Sequence, residues 1–325
     1  MRSQSALFVD AGYLIAAAAN RLTGSSFRRS VSVDYEKLVD DLVSLVEQRS
    51  GLPLLRVYWY DAGRNGIADA DQERVASLPR VKLRLGRIGV DGEQKGVDLR
   101  IGLDMVGHSR NRVVDPIYLL SGDDDLTQAV EEAQAQGVQV VVLAVPTAGG
   151  QAHGVNRHLI KAADGVEVLS PSLLDAVIRA SETPLSVASS TATGKGKRVP
   201  SPSDLARRAT AIRESVAAVT AYSGGSGGRP YIAPDYQRDP QEVGKTIHEV
   251  VRKAYEAWAR TATPDQKEDL VAGQPSIPHD LDRALLIDLS DAFDGDYLSD
   301  RMRVQLRSRF WDEVKEAREA PVLAG

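Results

Sequence analysis

Residues 121–126 read SGDDDL, which sets Asp123, Asp124 and Asp125 side by side directly after the apolar run DPIYLL. Three adjacent carboxylates at the mouth of a core repel one another: at about 4 Å each pair costs about 1 kcal/mol in water and about 4 kcal/mol near a protein surface. One of them could cap the helix expected from Leu126, but a cap uses a single carboxylate. The surplus charge calls for a positive partner. The chain contains no cysteine, so thiolate metal sites, disulfides and a cysteine nucleophile are excluded. A metal would take oxygen or imidazole ligands, and carboxylates suit a hard divalent ion such as Mg²⁺ or Mn²⁺.

The elements that must position these acids follow from hydrophobic pattern. Strand-like runs occur at 5–10, 54–61, 81–88, 116–121, 138–145 and 166–169. Between them VDYEKLVDDLVSLVEQRSG and DLTQAVEEAQAQG carry helical spacing and end on Gly51 and Gly137. Alternating β and α elements predict an α/β domain with a central parallel sheet, right-handed crossovers and helices on both faces. In such a sheet functional groups collect beyond the carboxyl ends of the strands, where the strand order reverses. Asp10 ends the first strand, Asp61 the second, and Asp123 and Asp125 follow the fourth. Asp98 lies in the first turn of a helix opened by Lys95-Gly96, with Asp104 six residues further on another face. A divalent cation shared by at least two of these aspartates is the simplest relief of the repulsion.

The chain has 325 residues, 42% hydrophobic, and a net charge of −5 spread over both halves, so neither half is a basic module. No apolar run is long enough to span a membrane, and Asp10 interrupts the first apolar stretch, so no membrane association and a cytoplasmic location are expected. Three regions are expected: an α/β domain over 1–180, a Ser/Thr/Gly/Pro-rich linker over 181–238 with a helix near 203–222, and a smaller, mostly α domain over 239–325. The last is read as folding independently, with a short wing near IPHDLDRALLIDL. It is assigned a role in choosing a partner or contacting phosphates rather than in chemistry, with Arg301, Arg303, Arg307 and Arg309 around its final helix. Trp258, Phe310 and Trp311 are read as core. His153 and His158 have no metal-ligand spacing and are read as a polar loop and helix start, with Asn156 and Asp164 as residues that could line the cleft. SGGSGG lacks the following Lys-Ser/Thr of a phosphate-binding loop.

Taken in order, ALFVDAGYL, RVYWYDA, KGVDLRIGLDM, YLLSGDDDL, GVQVVVLAV and AADGVEVL resemble the NYN domain of the PIN-like nuclease superfamily over roughly residues 4–170. KGVD followed by SGDxDL carries most of the likeness. The resemblance implies a Rossmann-like three-layer α/β fold and an endoribonuclease that hydrolyses RNA with Mg²⁺ or Mn²⁺, with the C-terminal helical domain choosing a protein partner or contacting RNA. On this sequence the metal positions are Asp10, Asp98, Asp123 and Asp125, with Asp61 and Asp104 behind them and Asp124 facing outward. Tyr13 stands where many members carry Asn. A dehalogenase-type phosphatase would need a second Asp at Gly12 and is set aside. The competing expectation is a catalytically degenerate NYN fold serving as an RNA-binding or protein-assembly module, and a homo-oligomer is compatible with either.

Overall fold

The computed structural model describes residues 4–64, 66–88, 94–181, 239–293 and 298–319. The parallel strands are β1 (Ser5–Asp10), β3 (Leu54–Arg64), β4 (Val81–Ile88), β6 (Ile117–Leu120), β7 (Val140–Ala144) and β8 (Gly165–Val168). A short β5 (Gln94–Lys95) adds antiparallel to β4, giving the order β5-β4-β3-β1-β6-β7-β8. All six expected strands are present. The first two crossovers move outward from β1 on one side, and the chain then returns to place β6 on the other. The strand order therefore reverses between β1 and β6, whose register sets Val9 against Leu120.

Side chains alternate across a strand, so each central strand feeds both faces of the sheet. Leu7, Val9, Trp59 and Leu120 pack with α1 (Ala11–Thr23), α2 (Tyr35–Ser50) and α7 (Pro171–Val177). Ala6, Phe8, Tyr58, Tyr60 and Leu119 pack with α4 (Val97–Arg110), α5 (Thr127–Ala135) and α6 (Arg157–Ala162). Helix α3 (Ala70–Ala76) sits between β3 and β4 in sequence. Each such fully buried Leu, Val or Phe contributes about 1.5–3 kcal/mol, which explains the continuous apolar run of β1. The pair β2 (Val31–Val33) and β9 (Ile178–Ala180) forms a separate antiparallel ribbon that sequence periodicity did not announce, because three residues cannot display a period.

Four further helices, α8 (Pro240–Thr261), α9 (Pro264–Ala272), α10 (His279–Ala292) and α11 (Asp300–Glu319), share an apolar core containing Trp258, Phe310 and Trp311. The expected wing is instead the helix α10: Leu281, Ala284, Leu285 and Leu289 recur at helical spacing and all are buried. The linker, the helix placed at 203–222 and the SGGSGG stretch lie outside the described residues.

The helical segment does not stand apart from the α/β domain. Its core takes in Phe27, from the loop after α1. Asp288 of α10 is buried and accepts from the Ser26 N–H at 2.8 Å and from Asn20 Nδ2 at 3.0 Å. Arg29 pairs with Asp280 at 2.7 Å, and His153 Nε2 lies 3.1 Å from Asp291. Removing the Phe27 side chain should therefore loosen both parts. Phe27→Ala is expected to lower stability by about 3 kcal/mol in guanidinium unfolding, and a change below about 0.5 kcal/mol would mean that the ring is not part of that core.

Candidate metal centre

Asp10, at the carboxyl end of β1, caps α1: its Oδ1 accepts the Tyr13 N–H at 3.1 Å, and its Oδ2 accepts the Ser121 hydroxyl at 3.2 Å. Ser121 is buried and follows β6, so these bonds tie together the two strands flanking the switch point. Asp123 opens a 3-10 turn and accepts the Asp125 N–H at 3.0 Å. The capping role and the site role thus coexist, since one oxygen makes the cap. Asp98 enters the first turn of α4, whose start is set by Gly96 at φ +81°, a left-handed conformation that L side chains resist. Among the described residues no neighbour donates a hydrogen bond to the side chains of Asp98 or Asp125.

These four carboxylates act on one another electrostatically. Burial pushes the Asp10 pKa up to about 6, with the charges of Asp98 and Asp123 adding to it against the Tyr13 N–H and Ser121 bonds. Asp98 is raised by burial and by Asp125, and Asp123 by burial and by Asp98, Asp125 and Asp124. Even so, among the described residues no three Asp, Glu or His side chains are gathered closely enough to hold a metal ion.

The other expected residues are placed elsewhere. Asp61 lies inside β3 rather than at its end, because the strand continues to Arg64. Both its oxygens are engaged, by Arg28 at 3.2 Å each and by Gln72 Nε2 at 2.9 Å, and these bonds outweigh burial and hold its pKa below the usual carboxylate range. Asp104 accepts from the Tyr60 hydroxyl at 3.0 Å and lies 3.1 Å from Arg84 Nε. Asp124 turns to Thr127 and His158, away from Asp10. Asn156 caps α6, while Asp164 accepts the Val140 N–H at 2.7 Å at the opposite, amino end of the sheet. Tyr13 reaches across to the loop after β7: its hydroxyl donates to the His153 carbonyl at 2.7 Å and accepts from the Val145 N–H at 3.2 Å. In α11, Arg307 pairs with Asp282 and Arg309 with Glu313 and Glu316, so neither is a free phosphate contact.

Sequence reasoning missed an arginine-lined cleft that Asp61 lines and that Asp10, Asp98, Asp123 and Asp125 do not, although Arg283 in its wall is within the field of Asp10 and Asp98. A cavity of about 1050 Å³ is lined by Gly12, Arg28, Tyr35, Asp61 and, from α10, Arg283 and Ile287. The arginine-rich RLTGSSFRRS was a partial signal for Arg28, but nothing in LDRALLIDL distinguishes Arg283 from an ordinary surface residue.

Two expectations follow. Because the Asp10 pKa is raised from 3.8 to about 6 in the fold, its contribution to stability is fullest below about pH 4 and is lost as pH rises through about 6. A shift of about two units is worth about 3 kcal/mol. Asp10→Asn, which still caps α1, is expected to remove that loss, so that in EDTA it gains on the wild type between pH 4 and pH 7; parallel stability curves would contradict the assignment. Tyr13→Phe leaves the Val145 N–H and the His153 carbonyl without their partner and is expected to cost about 1–3 kcal/mol in thermal unfolding.

Uncharacterized protein y4oD of Sinorhizobium fredii is 43% identical over 81 residues, 25% of this chain and 38% of the relative, so the chain spans about two fifths of that relative's length. A crystal structure of a protein of unknown function from Vibrio parahaemolyticus is 22% identical, covering 52% of this chain and 94% of its own, with a TM-score of 0.37. The model of the NYN domain matches residues 4–170, and with the strand order and the positions of the aspartates already described, the chain belongs to the NYN domain family of the PIN-like nuclease superfamily.

Proposed function

We propose that this chain is a divalent-metal-dependent endoribonuclease whose site is formed by Asp10, Asp98, Asp123 and Asp125. The observation that carries the reading is the electrostatic coupling of these four carboxylates at the β1/β6 switch point, with Asp10 pushed up to about 6. The donor set fits Mg²⁺ or Mn²⁺: it is made of carboxylate oxygens, and Asp98, Asp125 and one oxygen of Asp123 are not committed to another residue's donor among the described residues. A bound divalent ion supplies charge stabilisation and water activation for in-line attack on a phosphodiester.

The protein's own groups prepare that site. Ser121 and the Tyr13 N–H fix the orientation of Asp10. Arg28 neutralises Asp61, so that carboxylate adds no net charge to the cleft. Tyr13, in place of the Asn of many members, braces the loop that borders the site. The gap between the carboxylates favours one other reading, a degenerate fold that binds RNA without cutting it.

The two readings separate in one experiment. Labelled single-stranded RNA is incubated with the full chain in Mn²⁺, Mg²⁺ or EDTA, and melts are recorded with and without Mn²⁺. The expected result is cleavage only with metal, loss of both cleavage and Mn²⁺ stabilisation in Asp123→Asn and Asp125→Asn, and retention of most activity in Asp124→Asn. An equal Mn²⁺ response in all four proteins, without cleavage, would leave the RNA-binding reading.

A further inference from the structure

Arg283 sits on α10, in the wall of the cleft that also contains Gly12, Arg28 and Asp61. The neighbouring arginines of that cleft are satisfied within the chain: Arg28 by Asp61, Arg29 by Asp280 and Arg74 by Asp71. Arg283 differs. It is half-buried, yet among the described residues it makes no hydrogen bond and has no carboxylate within ion-pair distance. Taking a cation out of water without a partner is costly, and a guanidinium presents five donors in a fork suited to a phosphate. Burial and the like charge of Arg28 lower its pKa, while Asp10, Asp61 and Asp98 act in the opposite direction. Arg283 is therefore within the field of the aspartates but not paired with them.

We propose that Arg283 contacts a phosphate of single-stranded RNA lying in this cleft beside the aspartates, so that the C-terminal helical segment completes the substrate site. The inference rests on the ribonuclease reading and assigns the segment a part in it. The docking contacts of Phe27 and Asp288 with the α/β domain then have a functional consequence, because they hold α10, and with it Arg283, against the cleft. A cavity of about 1050 Å³ matches the upper end of ligand pockets, about 300–1,000 Å³. Tyr35, partly exposed on the same cleft, offers a ring face on which a base can stack.

The test is equilibrium binding of fluorescein-labelled oligouridine to the full chain in EDTA, over roughly 50 to 200 mM salt. Arg283→Ala is expected to bind about tenfold or more weakly, and to lower the slope of log affinity against log salt by about 0.7, the value for one lost single-strand phosphate contact. Arg283→Lys should restore the slope while remaining weaker than the wild type, because a lysine cannot make the bidentate contact. Lys267→Gln, exposed on α9 and outside the cleft lining, removes a charge and should bind as the wild type does. If Arg283→Ala melts early, the lysine variant and the salt slope decide, since a purely structural role does not alter the slope. In Mn²⁺, Arg283→Ala should raise KM more than it lowers kcat. Wild-type affinity and slope in Arg283→Ala, with Asp10→Asn unable to cleave, would overturn this proposal alone. No metal-dependent cleavage by the wild type would overturn the ribonuclease reading beneath it, whatever the effect of Arg283→Ala on binding.

Discussion

Carboxylates that repel one another stay at one edge of this protein because they are mounted on backbone that cannot separate. Asp10 ends β1 and Asp123 follows β6, and these strands are adjacent in a parallel ladder buried on both faces. Moving the acids apart would mean breaking ladder hydrogen bonds and exposing Val9, Phe8 and Leu120. That cost exceeds the repulsion of a few partly screened charges, about 4 kcal/mol per close pair near the surface. The repulsion therefore adds to the burial that raises the Asp10 pKa rather than changing the fold, and among the described residues the carboxylates stand short of a ligating cluster. The divalent cation proposed above would relieve that repulsion, and NYN nucleases as a superfamily typically use divalent metals.

The loops around the acids are fitted as closely as the core. Gly122 separates Ser121 from Asp123, and a Cβ there would collide with the Gly154 carbonyl oxygen and the Tyr13 ring. Its own carbonyl accepts the Asn156 N–H at 3.0 Å, so the loop after β7 is seated on the loop after β6. Tyr13 closes the same corner with its two hydroxyl bonds. Tyr13 thus has a structural task, holding the loop after β7 through its hydroxyl.

Charge is arranged on the far side of Asp10 with equal economy. Arg28 and Asp61 form a two-point ion pair with Gln72 as a third partner, an arrangement that satisfies a carboxylate taken out of water. Next to this neutral pair lies the cleft wall formed by α10. The helical segment reaches that position through a buried carboxylate, Asp288, whose pKa is raised by burial even though the Ser26 N–H and Asn20 bond to it. Such a contact specifies the docking geometry more than it adds stability, because an ionisable group in that place is tolerated only when its partners are present.

The sequence by itself determined the six parallel strands, the fold class and the identity of the acids at strand ends, because periodicity and chain order are local properties. Asp10, Asp98 and Asp123 were legible for that reason: each sits where a strand stops or a helix begins. It did not determine that Asp61 lies within a strand that runs three residues past it, or that Asp104 serves Tyr60 and Arg84, since partner choice depends on which chains lie across the sheet. Helical spacing in IPHDLDRALLIDL was present but was read as a wing, and the short ribbon of β2 and β9 was too brief to show a pattern. Only the tertiary structure brought Arg283, 273 positions after Asp10 in sequence, to the cleft beside it. That juxtaposition is decided by how the core containing Phe27 and Trp258 seats one set of helices on another, and packing between distant segments leaves no period in the chain to read.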